Sequence, residues 1–391
     1  MSEAGLSFDV VVVGAGLVGA GLAAALAGSG LAVAVVEPAS PPPVVEDWDS
    51  RIYAISPGSR DFLASVGAWS VLDAARVQAV TRMAIAGDAP GARLEFSADE
   101  SAVVALAHIV ESARLQRALW DRLADAESVT LICPARCARL DVSETGASLA
   151  LADGRTLAAR LVVGADGAQS WVRANSQLGA RTESYGQLGV VANFAISQPH
   201  QGTAFQWFRP DGVLAYLPLP GDRMSMVWST PETHAAELLA LDPAALCARV
   251  AAAGGGVLGN LELLTPPKGF PLQRLRAESM IGPRVALVGD AAHVVHPLAG
   301  QGVNLGFGDA RALAATLRGR GRAADCGARA LLRRYERSRA EAILAMRTVT
   351  DGLVRLFGLP GGLPSRIRNA GLNFTDRLPV LKTLIVRHAV G

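Results

Sequence analysis

Near its start the chain carries FDVVVV, apolar but for Asp9, followed by GAGLVG, the small-residue stretch AGLAAALAGSG and a second run, LAVAVVE, apolar up to its closing Glu37. Apolar runs without polar alternation belong to strands covered on both faces, as in parallel sheets. The glycines between them call for a tight turn, and the small residues that follow read as a helix. The pattern predicts a strand, turn, helix and strand of a βαβ unit. Next, PASPPPVVEDWDS carries prolines and acids that forbid regular structure, so it reads as a loop. Helical patterns follow at SRDFLASVGAW, ending near a glycine, and at residues 112–126, where Leu115, Leu119 and Leu123 share one face. The stretch SLALADGRTLAARLVVGADG then returns to the parallel sheet through a hairpin at Asp153 and Gly154.

From 185 to 275 the pattern changes to short aromatic-rich strands separated by Pro and Gly: QLGVVANFAI, TAFQWF, VLAYLPL and RMSMVWST. In the last, Met224, Met226 and Trp228 alternate with Ser225, Val227 and Ser229, which predicts an antiparallel sheet with a covered face. We read this region as an inserted substrate domain. RVALVGDAAH resumes the buried-strand pattern, and beyond Asp309 the chain is mostly helical.

Composition narrows the function classes. A chain of 391 residues exceeds the usual size of one core, and 50% hydrophobic with 18% charged residues is globular. A formal charge of +2, with no zinc-finger or RNA-binding spacing, argues against a nucleic-acid partner. Cys133, Cys137, Cys247 and Cys326 offer one C-x3-C pair, which suits neither a zinc ribbon nor a thioredoxin-like motif, so no metal site is expected and the cysteines read as reduced and structural. Residues 10–36 carry no charge and would be long enough to cross a bilayer. Six glycines within them, and no Lys or Arg before Arg51, favour a buried βαβ unit instead.

Gly14, Gly16 and Gly19 spell G-x-G-x-x-G between a predicted strand and helix. Such a turn lets backbone approach a pyrophosphate, and the helix start offers free N–H groups and about half a positive charge. Glu37 ends the second strand, where a carboxylate accepts ribose hydroxyls and repels a 2′-phosphate, so the pocket favours FAD or NAD over NADP. A second glycine cluster, GDAAHVVHPLAGQGVNLG at 289–306, serves no obvious purpose for NAD. It does serve a dinucleotide with a ribityl arm. Asp290 can bond a ribitol hydroxyl, and a glycine-led helix start can approach the flavin and stabilise its reduced anion. The expected cofactor is therefore FAD, adenosine at the first cluster and ring at the second.

Three blocks in order, GAGLVG at 14–19, GADGAQSWVR at 164–173 and the 289–306 cluster, resemble the class A single-component flavoprotein aromatic hydroxylases. DSRIYAISPGSRDFLASVGAW, IVESARLQRALWDRL and LPVLKTLIVRHAVG resemble the ubiquinone-biosynthesis branch, so the resemblance covers nearly the whole chain. It implies an α/β fold, a Rossmann-like FAD-binding domain of the p-hydroxybenzoate hydroxylase type with an inserted antiparallel-sheet substrate domain and a helical C-terminus. The FAD-binding domain would take residues 1–75, 101–180 and 279–325, the substrate domain 76–100 and 181–278, and the C-terminal helical region 326–391.

The resemblance also implies roles for residues. Arg51 would reach the FAD phosphate region, and Arg114, near Ser112 where relatives often carry Gln, is a candidate flavin contact. Asp166, Gly167 and Arg173 would serve both FAD and NAD(P)H. Asp290 would lie near the ribitol and pyrophosphate and Pro297 beside the ring. Gly300 and Gln301 would bind the cofactor, and the backbone of Gly302, Val303 and Asn304 would contribute at the pyrimidine edge. Ile55 stands where leucine is more usual. In the family, NAD(P)H reduces the flavin, O2 adds to give a C4a-hydroperoxide, and an electron-rich ring attacks its distal oxygen. The protein positions the ring and excludes water, so no triad is needed.

Other features of the sequence keep two readings each. His293 and His296 in the flavin loop could move protons or order the loop, with His296 and Pro297 the candidates nearest the chemistry. Phe205, Trp207, Tyr216 and Met226 could line a pocket for a prenylated ring or be sheet core. The basic run from Arg311 to Arg339 reads as a solvated helix face or as a surface for membrane or phosphate contact. The last helix, with Val380, Leu381, Leu384 and Ile385 on one side, could touch a bilayer or pack on the body. The expected protein is a cytoplasmic FAD-dependent monooxygenase with room for peripheral contact at the inner membrane face and with other quinone-biosynthesis proteins. It would act on a polyprenylated phenol. The alternatives are a hydroxylase of a soluble aromatic and a non-catalytic flavin-binding subunit of a biosynthetic complex.

Overall fold

The computed structural model describes the backbone of residues 6–41, 43–88, 91–296, 300–321 and 324–358, with side chains to 352. Pro297 and the apolar side of the last helix, Val380 to Ile385, lie outside the described residues.

The continuous apolar runs form the middle of an eight-stranded sheet, in the order Ile281–Gly282, Val285–Leu287, Thr156–Gly164, Leu6–Val13, Val33–Val36, Val129–Ile132. From Val285–Leu287 to Val129–Ile132 every pairing is parallel. Val10, Val11 and Val12 are fully buried, as strands covered on both faces must be. Ala147–Leu151 joins Thr156–Gly164 through the expected turn, with Ala150 opposite Thr156. The predicted helix from 112 ends at Ala124, two residues early.

The helix Gly302–Arg318 lies against Leu17–Leu26, and glycine allows the approach. A Cβ at Gly306 would fall 2.6 Å from Val18 Cγ2, and one at Gly289 would fall 3.2 Å from the same atom. Part of the late glycine cluster is therefore spent on packing the two glycine-led helices together.

The second sheet has nine strands built around the long strand Ala180–Ile196. Its pleat separates two faces. Val190, Ala192, Phe194, Leu214, Tyr216, Met224, Met226 and Trp228 pack with Leu238, Leu246 and Val250 from helices Glu232–Ala240 and Pro243–Ala253. On the other face Leu217, Leu219 and Ala204 meet Val80, Ile109, Ile52 and Trp48. Those partners come from a three-stranded sheet, Ile52–Ile55, Ala107–Glu111 and Gln78–Val80, and from the loop before it. The sequence did not reveal that His293–Val294 pairs with Leu275 and Arg276, so the second glycine cluster leaves the parallel sheet to join the second sheet. Among the described residues, no helix is long and apolar enough to cross a membrane.

Candidate active site

The three glycine-containing blocks follow three neighbouring parallel strands, Leu6–Val13, Thr156–Gly164 and Val285–Leu287, at their carboxyl ends. That edge is where open α/β sheets take their ligands. The blocks touch one another there. Gly14, at φ +101°, leaves no room for a Cβ, which would sit 2.5 Å from the Ala165 carbonyl oxygen. Gly19 passes the Gly14 carbonyl so closely that a Cβ would lie 2.0 Å from it. Arg173 donates to the Ala291 carbonyl at 2.7 Å and the Ala168 carbonyl at 2.8 Å, tying the middle block to the third. Asp166 is turned to its own block, accepting from Ser170 Oγ and, at 3.0 Å, from the Val172 N–H. Gly167 beside it has φ +79°, which makes the turn into the short helix Trp171–Asn175.

The residues present fit a dinucleotide. The helices Leu17–Leu26 and Gly302–Arg318 both begin without a side-chain cap, behind Gly16 and Gln301. Their first N–H groups thus need an outside acceptor. Among the described residues, a Cβ on Gly16 or Gly302 would meet nothing within 4 Å. Glu37 accepts from the Ala15 N–H at 2.6 Å, which places its carboxylate at the turn.

Farther along, Arg51, Tyr53 and Asp290 form one charged group. The Arg51 guanidinium is exposed and lies 5.8 Å from the Tyr53 ring centre. Burial raises the Tyr53 hydroxyl above its ordinary pKa, and the Asp290 charge adds to the rise against the opposing Arg51. Surrounding protein likewise raises the Asp290 carboxyl, opposed by His293 and Arg51. Asn304 clamps the helix start to the strand Ile52–Ile55, accepting from the Ser56 N–H at 3.0 Å and donating to the Ala54 carbonyl at 2.8 Å and to Gln301 Oε1 at 3.1 Å. Gly300 stands against Ala54, and Val303 is half-buried on the same helix start.

The two histidines are each held from behind. His293 Nε2 is 2.6 Å from Asp309 Oδ2, which also accepts from the Gly289 N–H at 3.0 Å, while Arg339 Nε donates to Asp309 Oδ1 at 2.7 Å. Burial would raise this fully buried carboxyl, but His293 and Arg339 outweigh it and hold it below the ordinary carboxylate value. His296 donates through Nε2 to Gln187 Oε1 at 3.1 Å and meets the Tyr185 ring edge-on at 4.7 Å. Its Nδ1 is buried without a partner among the described residues, and burial lowers its pKa to about 4, against an opposing pull from Asp351. His296 is therefore neutral near pH 7.

Other expected residues lie elsewhere. Arg114 donates to Glu111 at 3.0 Å and to the Val45 carbonyl at 3.1 Å, which turns its guanidinium to the loop before Arg51. Of the two readings for the aromatic strands, the structure gives core. Met226 is fully buried, Tyr216 donates to the Val250 carbonyl, and half-buried Phe205 and Trp207 stack on the same helix-covered face. Alternation hides this choice, because here both faces of the sheet are covered. Trp120 was missed altogether. Its indole N–H donates at 2.7 Å to the Ala15 carbonyl inside the first glycine turn.

The chain matches a family model described as an FAD binding domain over residues 7–350. It is 37% identical to a ubiquinone hydroxylase of Rhodospirillum rubrum, UbiL, covering 98% of this chain and 89% of that one. It is 35% identical to the 3-demethoxyubiquinol 3-hydroxylase of Escherichia coli, covering 98% of each. The chain belongs to the ubiquinone-biosynthesis hydroxylases, a branch of the class A FAD-dependent monooxygenases. Among solved structures, Pseudomonas aeruginosa PqsL in complex with 2-aminobenzoylacetate superposes with a TM-score of 0.77 at 26% identity, covering 94% of this chain and 100% of that one. A point variant of Klebsiella pneumoniae HpxO complexed with FAD shares the fold at 19% identity, with a TM-score of 0.75, 98% of this chain and 99% of that one covered. As a member of this class the protein is an FAD-dependent monooxygenase, with NAD(P)H as donor and O2 as co-substrate typical of such hydroxylases.

Proposed function

We propose that this hydroxylase adds oxygen to the aromatic ring of a polyprenylated phenol, an intermediate of ubiquinone biosynthesis. The observation that carries the reading is the meeting of three glycine blocks at one sheet edge, in a chain matching ubiquinone hydroxylases over 98% of its length. FAD, when bound, supplies the activation of O2 by its reduced ring. The chain supplies position, charge and dryness. The uncapped starts of Leu17–Leu26 and Gly302–Arg318 bind negative groups, Glu37 accepts ribose hydroxyls and Arg51 offers an exposed guanidinium to a phosphate. Asp290 accepts from the ribityl chain. Asp166, Gly167 and Arg173 shape the middle turn, and Gly300 to Asn304 carry the second helix start against Ala54. His296, neutral and buried, fixes the flavin loop to Gln187 of the substrate sheet and holds no charge to transfer. The sheet face bearing Leu217 and Leu219 turns toward the three-stranded sheet under an apolar cover, which supports that side as the dry place for the ring.

A soluble aromatic substrate is the second reading, favoured by the likeness to PqsL, whose crystal holds 2-aminobenzoylacetate. One assay separates them: NAD(P)H oxidation by FAD-loaded protein with a polyprenylated phenol against short-chain phenols. Stimulation and ring hydroxylation with the prenylated compound support the proposal. Stimulation by soluble compounds alone overturns it. A prenylated substrate resides in lipid, so peripheral contact with the inner membrane face and with other quinone-biosynthesis proteins belongs to the same proposal, and vesicle co-sedimentation tests the first.

A further inference from the structure

Residues 37 to 51 contain no described helix or strand, yet Arg51 at their end has to be presented in one place. The order comes from one buried carboxylate. Glu111, 2% exposed at the end of Ala107–Glu111, accepts from Arg76 Nε at 2.8 Å and Nη2 at 2.7 Å, from Arg114 Nε at 3.0 Å and from the Asp49 N–H at 2.8 Å. The two guanidiniums spend further N–H groups on the loop. Arg76 donates to the Glu46 and Asp47 carbonyls at 3.1 and 3.5 Å and lies 3.7 Å over the Trp48 ring, and Arg114 donates to the Val45 carbonyl. Asp49 passes the constraint on. Its carboxylate accepts from the Arg51 N–H at 2.9 Å and the Ala113 N–H at 3.1 Å, and its carbonyl accepts from Asn193 Nδ2 at 2.8 Å. The Arg51 carbonyl in turn accepts from the Ser112 N–H at 2.9 Å. Both backbone groups of Arg51 are thereby fixed, while its side chain is exposed and forms no salt bridge among the described residues.

We propose that Glu111 is a positioning residue for the cofactor, acting through Asp49 on Arg51. The inference rests on the reading of Arg51 as a contact of FAD. It also gives Arg114 a different part, as a counter-charge that holds the loop. The physical reason is charge balance: two adjacent guanidiniums share one carboxylate, and without its charge they repel and lose the partner that orients them. The loop they grip then loses its anchor, and Arg51 samples many positions in place of one.

The test is a double-mutant cycle on FAD affinity, read by fluorescence titration of the apoprotein at fixed ionic strength with Glu111→Gln, Arg51→Ala and both. Arg51→Ala should weaken FAD binding by about tenfold or more and Glu111→Gln by about tenfold, while the double variant binds within about twofold of Arg51→Ala. A role in general folding would instead multiply the two losses. Glu111→Gln within about twofold of the parent, or a double loss equal to the product, overturns the inference and leaves the reading of Arg51 standing. Arg51→Ala binding as tightly as the parent removes that reading, and the route through Arg51 with it. If Glu111→Gln does not fold by circular dichroism, Asp49→Ala takes its place in the cycle with the same expectations.

Discussion

Asp309 gives the sharpest test of how the flavin loop is held. Its buried carboxylate takes three donors, the Gly289 N–H, His293 Nε2 and Arg339 Nε, within 2.6 to 3.0 Å. Asp309→Asn keeps the shape, removes the charge and replaces one acceptor oxygen by an NH2 that faces donors. Arg339, 9% exposed, is then left without its counter-charge, and removing one partner of a buried pair costs about 3–5 kcal/mol. The assay is the urea midpoint of the apoprotein at pH 7.5, with the parent, Asp309→Asn, and a double variant that adds Arg339→Met. The double should recover part of the loss, because its apolar side chain no longer leaves a charge buried. The sign with pH follows from the lowered Asp309 value. Its stabilisation is complete above the unfolded carboxyl's pKa of about 4 and fades as pH falls through the lower folded value. The gap between parent and Asp309→Asn should therefore narrow below about pH 4. A loss under about 1 kcal/mol at pH 7.5, or a double variant worse than the single, would refute the reasoning.

Trp120→Phe keeps an aromatic ring but strands the Ala15 carbonyl, so FAD affinity should drop by about 1–3 kcal/mol, checked by isothermal titration. Met226→Ala should cost about 2–5 kcal/mol of stability with the KM for the aromatic substrate unchanged, whereas Leu217→Trp on the opposite face should raise that KM, both read by steady-state kinetics and urea unfolding. His296, held near pKa 4 against 6.5 when unfolded, opposes protonation, so the fold should lose up to about 3 kcal/mol as pH falls from 6.5 to 4; His296→Gln should flatten that slope. A side chain at Gly306 must push Val18 aside, so Gly306→Val should lower both the melting temperature and the FAD content of purified protein.

What could be read in advance was local. Continuous valines announce a covered parallel strand, and Gly14, Gly16, Gly19 and Glu37, the residues proposed to hold the nucleotide, all fall within one βαβ unit, so neither feature needs knowledge of distant partners. For Met224, Met226 and Trp228 the sequence leaves core and pocket open for a physical reason: a period of two says that they share a face, but not what covers it. Arg114 was legible as a cation beside a helix start, and nothing in its neighbourhood says that its guanidinium turns back to Glu111. Asp309 did leave a trace. Leu305, Asp309 and Leu313 recur every four residues, which puts the acid on a buried helix stripe, and Tyr335, Arg339 and Ile343 do the same for its partner. A charge on each of two apolar stripes is a cue to a buried pair. Trp120 left none, because its acceptor lies 105 residues away in a turn that already looked complete.

Loaded with FAD, this protein is proposed to place one atom of O2 on the ring of a prenylated phenol. The most direct measurement is mass spectrometry of the product formed under 18O2 from a short polyprenylated phenol, with NADH or NADPH supplied to the reconstituted protein. The account predicts a product carrying a single labelled oxygen on its aromatic ring, formed only when FAD is bound. Oxidation of the nicotinamide with O2 reduced to hydrogen peroxide and the phenol recovered unchanged, or label absent from the ring, would contradict it.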